Sequence, residues 1–186
     1  VIMIGEIRDK DTAEISIKAS LTGHLLFSTL HTNSAAETIT RMLDLGTDPF
    51  SFADAILGVL SQRLVRRLCI HCKTSRQATE DELDNIRSMY GKQNLEDYLK
   101  RFRKIYLHEA NGCQKCNQTG YKGRIAIHEL LKNNDEITHL ISSRASTDKL
   151  RQAAIKEGMK TLMQDGIEKA LTGIIDLKSL KQTLGS

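Results

Sequence analysis

The chain begins with VIMIGEIRDKDTAEISIKASLTGHLLFSTLHT, residues 1–32, and this stretch decides the fold class. Residues 1–4 are four consecutive apolar residues rich in β-branched types, which is typical of a strand buried on both faces in a parallel sheet. Asp11, with Glu14 three residues later, has the capping-box pattern and predicts the start of a helix. Gly23 is expected to end that helix. The order strand, helix, strand indicates an α/β protein.

Polar side chains follow the two predicted strands at the point where each strand ends. Glu6 comes soon after the first strand, and His31 follows the second, which we place at residues 25–30. Ligands of open α/β sheets bind at the carboxyl ends of the strands, so we expect both side chains in one site. Taken singly, such a glutamate is more often a solvated loop residue and such a histidine a structural one.

The segments GEIRD (5–9) and TGHLLFSTLHT (22–32) resemble the Walker B segment and histidine box of the secretion ATPase superfamily. The closer resemblance is to its type II secretion and type IV pilus assembly branch, in which Walker B ends in Gly-Glu, as Gly5-Glu6 does here. The resemblance implies that Glu6 positions or polarises the attacking water and that His31 contacts the γ-phosphate of ATP. Carboxylate and imidazole groups suit these roles.

The phosphate-loop motif G-x-x-x-x-G-K-[ST], which would cradle the nucleotide, occurs nowhere in the sequence. The first residue already lies in a predicted core strand, without an initiator Met or a signal peptide. We therefore expect the chain to be the C-terminal part of a longer ATPase. The longer protein would use ATP and Mg²⁺, whereas this chain alone is expected to be inactive.

Four cysteines form two C-x-x-C pairs, Cys69 with Cys72 and Cys113 with Cys116. Without a secretory signal, such pairs indicate metal ligands rather than disulfides. Four thiolates fill the tetrahedral shell of Zn²⁺ and leave no open position, so the pattern predicts a structural zinc site. The segment between the pairs exceeds the ~15 to 20 residues of ordinary zinc ribbons. His71, inside the first pair, would be a ligand only if a cysteine were not.

The family resemblance adds further residues that could contact nucleotide or a neighbouring subunit. Gln62 and Arg63 lie in a Gln-Arg-Leu segment like that which precedes the first cysteine pair in the family, although a plain edge strand explains it as well. Arg8 follows Glu6, and Arg124 lies in a family-like Gly-Arg-x-x-Ile-x-Glu-Leu segment. A basic run, whose members are Lys100, Arg101, Arg103 and Lys104, is either a solvated face or a docking surface for a membrane partner.

Three segments follow from these assignments. Residues 1–68 are predicted to be the C-terminal half of a RecA-like ATPase domain, in which a helix is expected at residues 52–62. Residues 69–116 are predicted to be a tetracysteine zinc subdomain with a helical insert. Residues 117–186 are predicted to be a return strand and a C-terminal helical domain, because short turns join its helical segments.

Composition limits the class of protein. The 186 residues are 40% hydrophobic and 27% charged, which suits a soluble globular protein. A net charge of +4 is too mild to indicate nucleic acid, and we expect no such partner. No apolar run approaches the ~18 to 20 residues that span a bilayer, so any membrane association would be peripheral.

The leading hypothesis is therefore part of a ring-forming motor ATPase that drives type II secretion pseudopilus or type IV pilus assembly. The resemblance implies a homo-hexamer that acts in the cytoplasm, at the inner membrane, on a platform protein of the machine. It does not separate secretion from pilus assembly. The alternative is a zinc-stabilised adaptor or nucleic-acid-binding module without ATPase activity, which would leave GEIRD and STLHT unexplained.

Overall fold

The computed structural model describes residues 1–100 and 104–185, with the backbone alone at 92–94 and 97. It is a mixed α/β structure, which agrees with the fold class predicted from the sequence. The elements in chain order are β1 (Ile2–Ile4), α1 (Lys10–Leu21), β2 (Leu26–Ser28), α2 (Ala35–Asp44), α3 (Pro49–Ala55), β3 (Gly58–Leu68), β4 (Thr74–Gln77), α4 (Glu80–Tyr90), α5 (Lys92–Leu99), β5 (Tyr106–Glu109), β6 (Tyr121–Lys132), α6 (Asp135–Ser142), α7 (Thr147–Lys156), α8 (Leu162–Leu171) and α9 (Leu177–Leu184).

The chain divides into two compact units. The first comprises Val1–Ser61 and Glu129–Lys160, and the second comprises Gln62–His128 and Thr161–Ser186. Strands β3 and β6 pair with each other, and each passes from one unit into the other. The C-terminal helices are shared between the units, with α6 and α7 in the first and α8 and α9 in the second. The three functional segments proposed from the sequence remain a prediction.

In the first unit, β1 and β2 form a parallel pair in which Ile4 lies opposite Ser28. Ile4 packs against the main apolar core of this unit, whereas Met3 and Phe27, on the other face of the sheet, are exposed. The expectation that the first strand is buried on both faces is therefore wrong for this chain. The physical reason is that the described residues cover one face of the pair only.

Helix starts in the first unit are set by side chains that accept a hydrogen bond from a backbone amide. Asp9, rather than the predicted Asp11, caps α1: its carboxylate accepts from the backbone N–H of Thr12 at 2.8 Å. Asp9 has the extended backbone of a cap residue, whereas Asp11 lies inside the first turn. Ser34 caps α2 and accepts from the backbone N–H of Glu37 at 3.2 Å.

The expected helix at residues 52–62 is also wrong. Asp48 caps α3, which ends at Ala55, and the extended strand β3 begins at Gly58. Pairing with β6 favours the extended form there, and burial alternates along the first half of β3. Local apolar spacing did not reveal this pairing, because its partner lies far away in the chain.

The second unit packs α4, α5, α8 and α9 against strand residues around its own apolar core. The buried members of this core include Val65, Ile127, Ile167, Ile175 and Leu180. Strands β4 and β5 form an antiparallel pair in which Thr74 lies opposite Glu109, and both strands lie between the two cysteine pairs in the sequence. Over the described part of the chain, no helix is long and apolar enough to cross a membrane.

Candidate functional site

The segments that follow β1 and β2 are tied together by hydrogen bonds beyond the strands themselves. The backbone N–H of Ile7 donates to the carbonyl oxygen of Thr29 at 3.1 Å. The hydroxyl of Thr29 donates to the carbonyl oxygen of Gly5 at 2.6 Å. Ile7 is itself buried in the apolar core, which anchors the segment between Glu6 and Arg8. The parallel pairing therefore continues past the strand ends and brings their polar residues to one edge.

Glu6, Arg8 and His31 meet at this edge. The Nε2 atom of His31 lies 3.3 Å from one carboxylate oxygen of Glu6, and a guanidinium nitrogen of Arg8 lies 2.6 Å from the other. The side chain of Glu6 is 21% exposed, whereas those of Arg8 and His31 are 76% and 86% exposed. A partly sheltered carboxylate is thus flanked by two accessible nitrogen-bearing side chains that an anionic ligand could reach.

The electrostatics favour the ionised form of Glu6. The hydrogen bond from Arg8 holds the pKa of the Glu6 carboxyl below its ordinary value. Partial burial opposes this lowering, while the charge of Arg8 and the neighbouring imidazole of His31 add to it. An ionised carboxylate has only acceptor oxygens, so it can accept a hydrogen bond or a proton from a water molecule.

The four cysteines form a second candidate site, and all are free thiols. Their sulfur atoms lie within 4.8 Å of one another, with separations of 3.9 Å for Cys69–Cys113, 3.8 Å for Cys72–Cys116 and 3.7 Å for Cys113–Cys116. Ligands at ~2.3 Å from a tetrahedral Zn²⁺ have their sulfur atoms ~3.8 Å apart. The donor set and its spacing therefore fit a closed, structural zinc site.

Backbone amides point at two of these sulfur atoms. The N–H groups of Cys113 and Gly120 donate to the sulfur of Cys116, each at 3.2 Å, and that of Gly112 donates to Cys72 at 3.3 Å. Burial alone raises the pKa of Cys116, but the amides and neighbouring thiols outweigh it and lower this pKa to about 6. Burial raises the pKa of Cys72 to about 11. One member of the cluster is thus prepared as a thiolate, the form that binds metal.

Comparison with known proteins identifies the family of the chain. The family described as "Type II/IV secretion system protein" matches residues 1–182. The chain belongs to this family. The resemblance inferred from GEIRD and the histidine box is thereby confirmed.

Relatives within this family include ATPases of type IV pilus assembly and of type II secretion. The chain is 47% identical over 180 residues to the type IV pilus assembly ATPase PilB of Thermus thermophilus, covering 97% of this chain and 19% of that protein. It is 41% identical over 180 residues to the type II secretion system ATPase E of Vibrio cholerae, covering 97% of this chain and 33% of that protein. The chain therefore spans no more than about a third of the length of these curated relatives.

A solved structure shows the same fold. The ATPase DotB of Legionella pneumophila matches 99% of this chain with a TM-score of 0.60, and the match covers 38% of that protein. At 18% identity this likeness supports the fold alone. The α/β architecture predicted from the sequence is thus that of an ATPase of known structure.

The remaining sequence candidates lie in the second unit. Gln62 and Arg63 are on β3, where Gln62 is exposed and Arg63 half-buried, and Arg124 is exposed on β6. The described partners of Glu6 are in the first unit, so roles for these three in nucleotide or subunit contact remain predictions. In the basic run, Arg101 and Arg103 lie outside the described residues. His71 is exposed, and among the described residues the cluster of possible metal ligands consists of the four cysteines without it.

Sequence reasoning missed one residue near the first site, Glu129. Its carboxylate is only 4% exposed and accepts a hydrogen bond from the backbone N–H of Ala35 at 2.8 Å. Ala35 is the first residue of α2, the helix that follows the histidine box. The available signal was the alternation in β6, because Glu129 occupies an inward position between the buried residues Ile127 and Leu131.

Proposed function

We propose that this chain supplies the hydrolysis side of the ATP site in a motor ATPase that drives type II secretion or type IV pilus assembly. The contact between Glu6 and His31, at the ends of adjacent parallel strands, carries the proposal. Membership of the secretion family supports it. The reaction would be transfer of the γ-phosphoryl group to water.

Glu6 is assigned the role of orienting the attacking water. Its carboxylate is ionised near neutral pH, and one of its oxygens faces His31 while the other accepts from Arg8. A carboxylate held in this way can orient a water molecule and take its proton as attack proceeds. Arg8 limits the directions in which the carboxylate can turn, so we assign it a positioning role.

His31 is assigned contact with the γ-phosphate. Its imidazole is accessible and lies within 3.3 Å of Glu6, so a phosphate beside it would also lie close to the water held by Glu6. A ring nitrogen can donate a hydrogen bond to a phosphate oxygen, which favours the charge of the transferring group. Mg²⁺, when bound with ATP, neutralises charge on the phosphates.

The tetracysteine cluster is assigned a structural Zn²⁺, because four sulfur ligands leave no position for a reacting water. We further propose that the whole protein works as a homo-hexamer in the cytoplasm, where it acts on an inner-membrane platform protein. These assembly proposals rest on the family alone. The chain does not favour secretion over pilus assembly, since relatives from both machines match it at similar identity.

The alternative is a zinc-stabilised adaptor or nucleic-acid-binding module, and the surroundings of the cysteines do not favour nucleic-acid binding. Tyr121, an aromatic residue that follows the second cysteine pair, is covered by the guanidinium of Arg66 at 4.2 Å from the ring centre. Its hydroxyl donates to Asp176 at 2.6 Å. One face of the ring is therefore covered by a contact within the chain, which leaves less of it open for stacking with a base.

Steady-state ATP turnover of the whole protein tests the proposal. Glu6→Gln is expected to lower kcat by ~10²-fold or more, because general-base catalysis contributes on this order. Nucleotide binding, measured with a fluorescent ATP analogue, is expected to persist. Glu14→Gln is the matched control, since Glu14 is half-buried on α1 and pairs only with lysines among its described ion-pair partners. Turnover by Glu6→Gln at the unmodified rate would refute the assignment.

A further inference from the structure

Glu129 presents a carboxylate where its strand otherwise buries apolar groups. On the inward face of β6, Ile127 and Leu131 are fully buried, and Glu129 between them is 4% exposed. A buried carboxylate is unfavourable unless hydrogen bonds compensate for the loss of water. Its presence at this position therefore calls for a specific partner.

That partner is the start of α2. The backbone N–H of Ala35 donates to Glu129 Oε1 at 2.8 Å, and Ala35 is itself fully buried. The first amides of a helix have no partner within the helix, and the helix dipole favours a negative charge there. The bond thus gives the first amide of α2 a charged acceptor, and it joins two residues 94 positions apart in the chain.

The loop between His31 and α2 has further attachments to the same helix. The backbone N–H of Asn33 donates to the Glu37 carboxylate at 2.9 Å. The hydroxyl groups of Thr32 and Thr38 lie 2.7 Å apart. The loop is therefore fixed to α2, and the start of α2 is fixed to Glu129. The imidazole of His31 is 86% exposed and contacts Glu6, so its position depends on the backbone of this loop as well as on that contact.

We infer that Glu129 is a positioning residue for His31: its buried carboxylate holds the start of α2 and, through the loop at residues 32–34, keeps the imidazole beside Glu6. The inference deepens the proposed function and rests on it for its catalytic consequence. Strand β6 enters the first unit at Glu129, and the bond to Ala35 joins this part of the strand to the start of α2.

Nuclear magnetic resonance on the zinc-loaded chain tests the positioning without ATP. Glu6→Gln should shift the ring Cε1–H signal of His31, because the two side chains are in contact. In a Glu129→Leu background, the same substitution should shift that signal by less than about a third as much, because the loop is no longer held. Glu136→Leu is the matched control, since Glu136 is an exposed glutamate on α6 in the same unit. In the Glu136→Leu background, Glu6→Gln is expected to shift the His31 signal by the full amount.

A milder variant keeps the inference testable if Glu129→Leu does not fold. Glu129→Gln retains an acceptor oxygen but loses the charge, and charge-assisted hydrogen bonds are about twice as strong as neutral ones. The amide proton of Ala35 is then expected to exchange with solvent several-fold faster, with a reduced His31 response. A folded variant that keeps both the exchange rate and the full response would overturn the inference.

Kinetics on the whole protein separate this inference from the proposed function. Glu129→Leu, or Glu129→Gln if the former does not fold, is expected to lower kcat about tenfold, because the group is displaced rather than removed and removal of one such group costs ~10²- to 10³-fold. The KM for ATP should change less than about twofold, because the substitution removes no interaction that stabilises bound ATP and the transition state equally. If the unmodified protein hydrolyses no ATP, the proposed function fails while the resonance experiment still decides the positioning. An active protein whose kcat is insensitive to Glu129 would overturn the inference alone.

Discussion

Gly166 offers a test in which the fold reverses the usual effect of a substitution. It lies inside α8, where replacing glycine with alanine ordinarily stabilises a helix by ~1 kcal/mol. Here a Cβ atom at residue 166 would lie 2.2 Å from Cδ1, 2.9 Å from Cδ2 and 3.1 Å from Cγ of Leu180. Leu180 belongs to α9 and is fully buried, so its side chain cannot turn away without displacing other core residues.

The expected result of Gly166→Ala is a net loss of stability. Overpacking a well-filled core costs ~1 to 3 kcal/mol, and a contact of 2.2 Å belongs in the upper part of this range. After subtraction of the helix-propensity gain of ~1 kcal/mol, the free energy of unfolding should fall by about 1 to 2 kcal/mol. Urea unfolding, followed by circular dichroism on the zinc-loaded chain, measures this change.

A double-mutant cycle supplies the control. Leu180→Ala removes all three crowded atoms, at a cost of its own of ~2 to 5 kcal/mol. In that background, Gly166→Ala should become neutral or stabilising by up to ~1 kcal/mol, because the helix preference of alanine is no longer opposed. The reasoning would be refuted if Gly166→Ala stabilised the chain with Leu180 present.

Two further predictions concern the second unit. Arg76 donates two hydrogen bonds to Glu82 and holds the pKa of that carboxyl at about 2, below the ordinary 4.5. The resulting stabilisation is present above pH 4.5 and is lost as the pH falls towards 2. Glu82→Gln should therefore flatten the pH dependence of the free energy of unfolding in urea over this interval. An unchanged pH dependence would contradict the prediction. Cys72→Ser should leave the chain with less bound zinc than the unmodified protein after dialysis against a chelator, as measured by mass spectrometry, because one of four sulfur ligands is lost. His71→Ala should retain the metal, and equal zinc in the Cys72 variant would contradict the four-sulfur site.

Much of the local structure was predictable from the chain alone. The caps at Ser34, Thr79, Thr161 and Asp176 are those of α2, α4, α8 and α9, since each accepts a hydrogen bond from an amide three residues later. Such bonds connect near neighbours in the sequence, so spacing reveals them. One of the failures was also local. Asp9 and Asp11 both had acceptable residue types, and only backbone conformation distinguishes the cap from the first turn.

The candidate sites also combine features that the sequence predicts with features that depend on contacts between distant segments. Their membership followed from the sequence, because residue types and spacing identify a strand-end glutamate, a histidine two elements later and two C-x-x-C pairs. The arrangement of Glu6 between Arg8 and His31 required the parallel register of β1 with β2. Nothing in the local pattern specifies which oxygen of a carboxylate meets which nitrogen.

The sequence by itself determined the family, the class of fold and the chemical types at each site, because these depend on short motifs. Only the tertiary structure decided that the Glu129 carboxylate accepts from the first amide of α2 and that Leu180 fills the space above Gly166. Each is a contact between segments distant in the chain. Such contacts depend on packing and burial across the whole fold, so local residue propensities do not predict them.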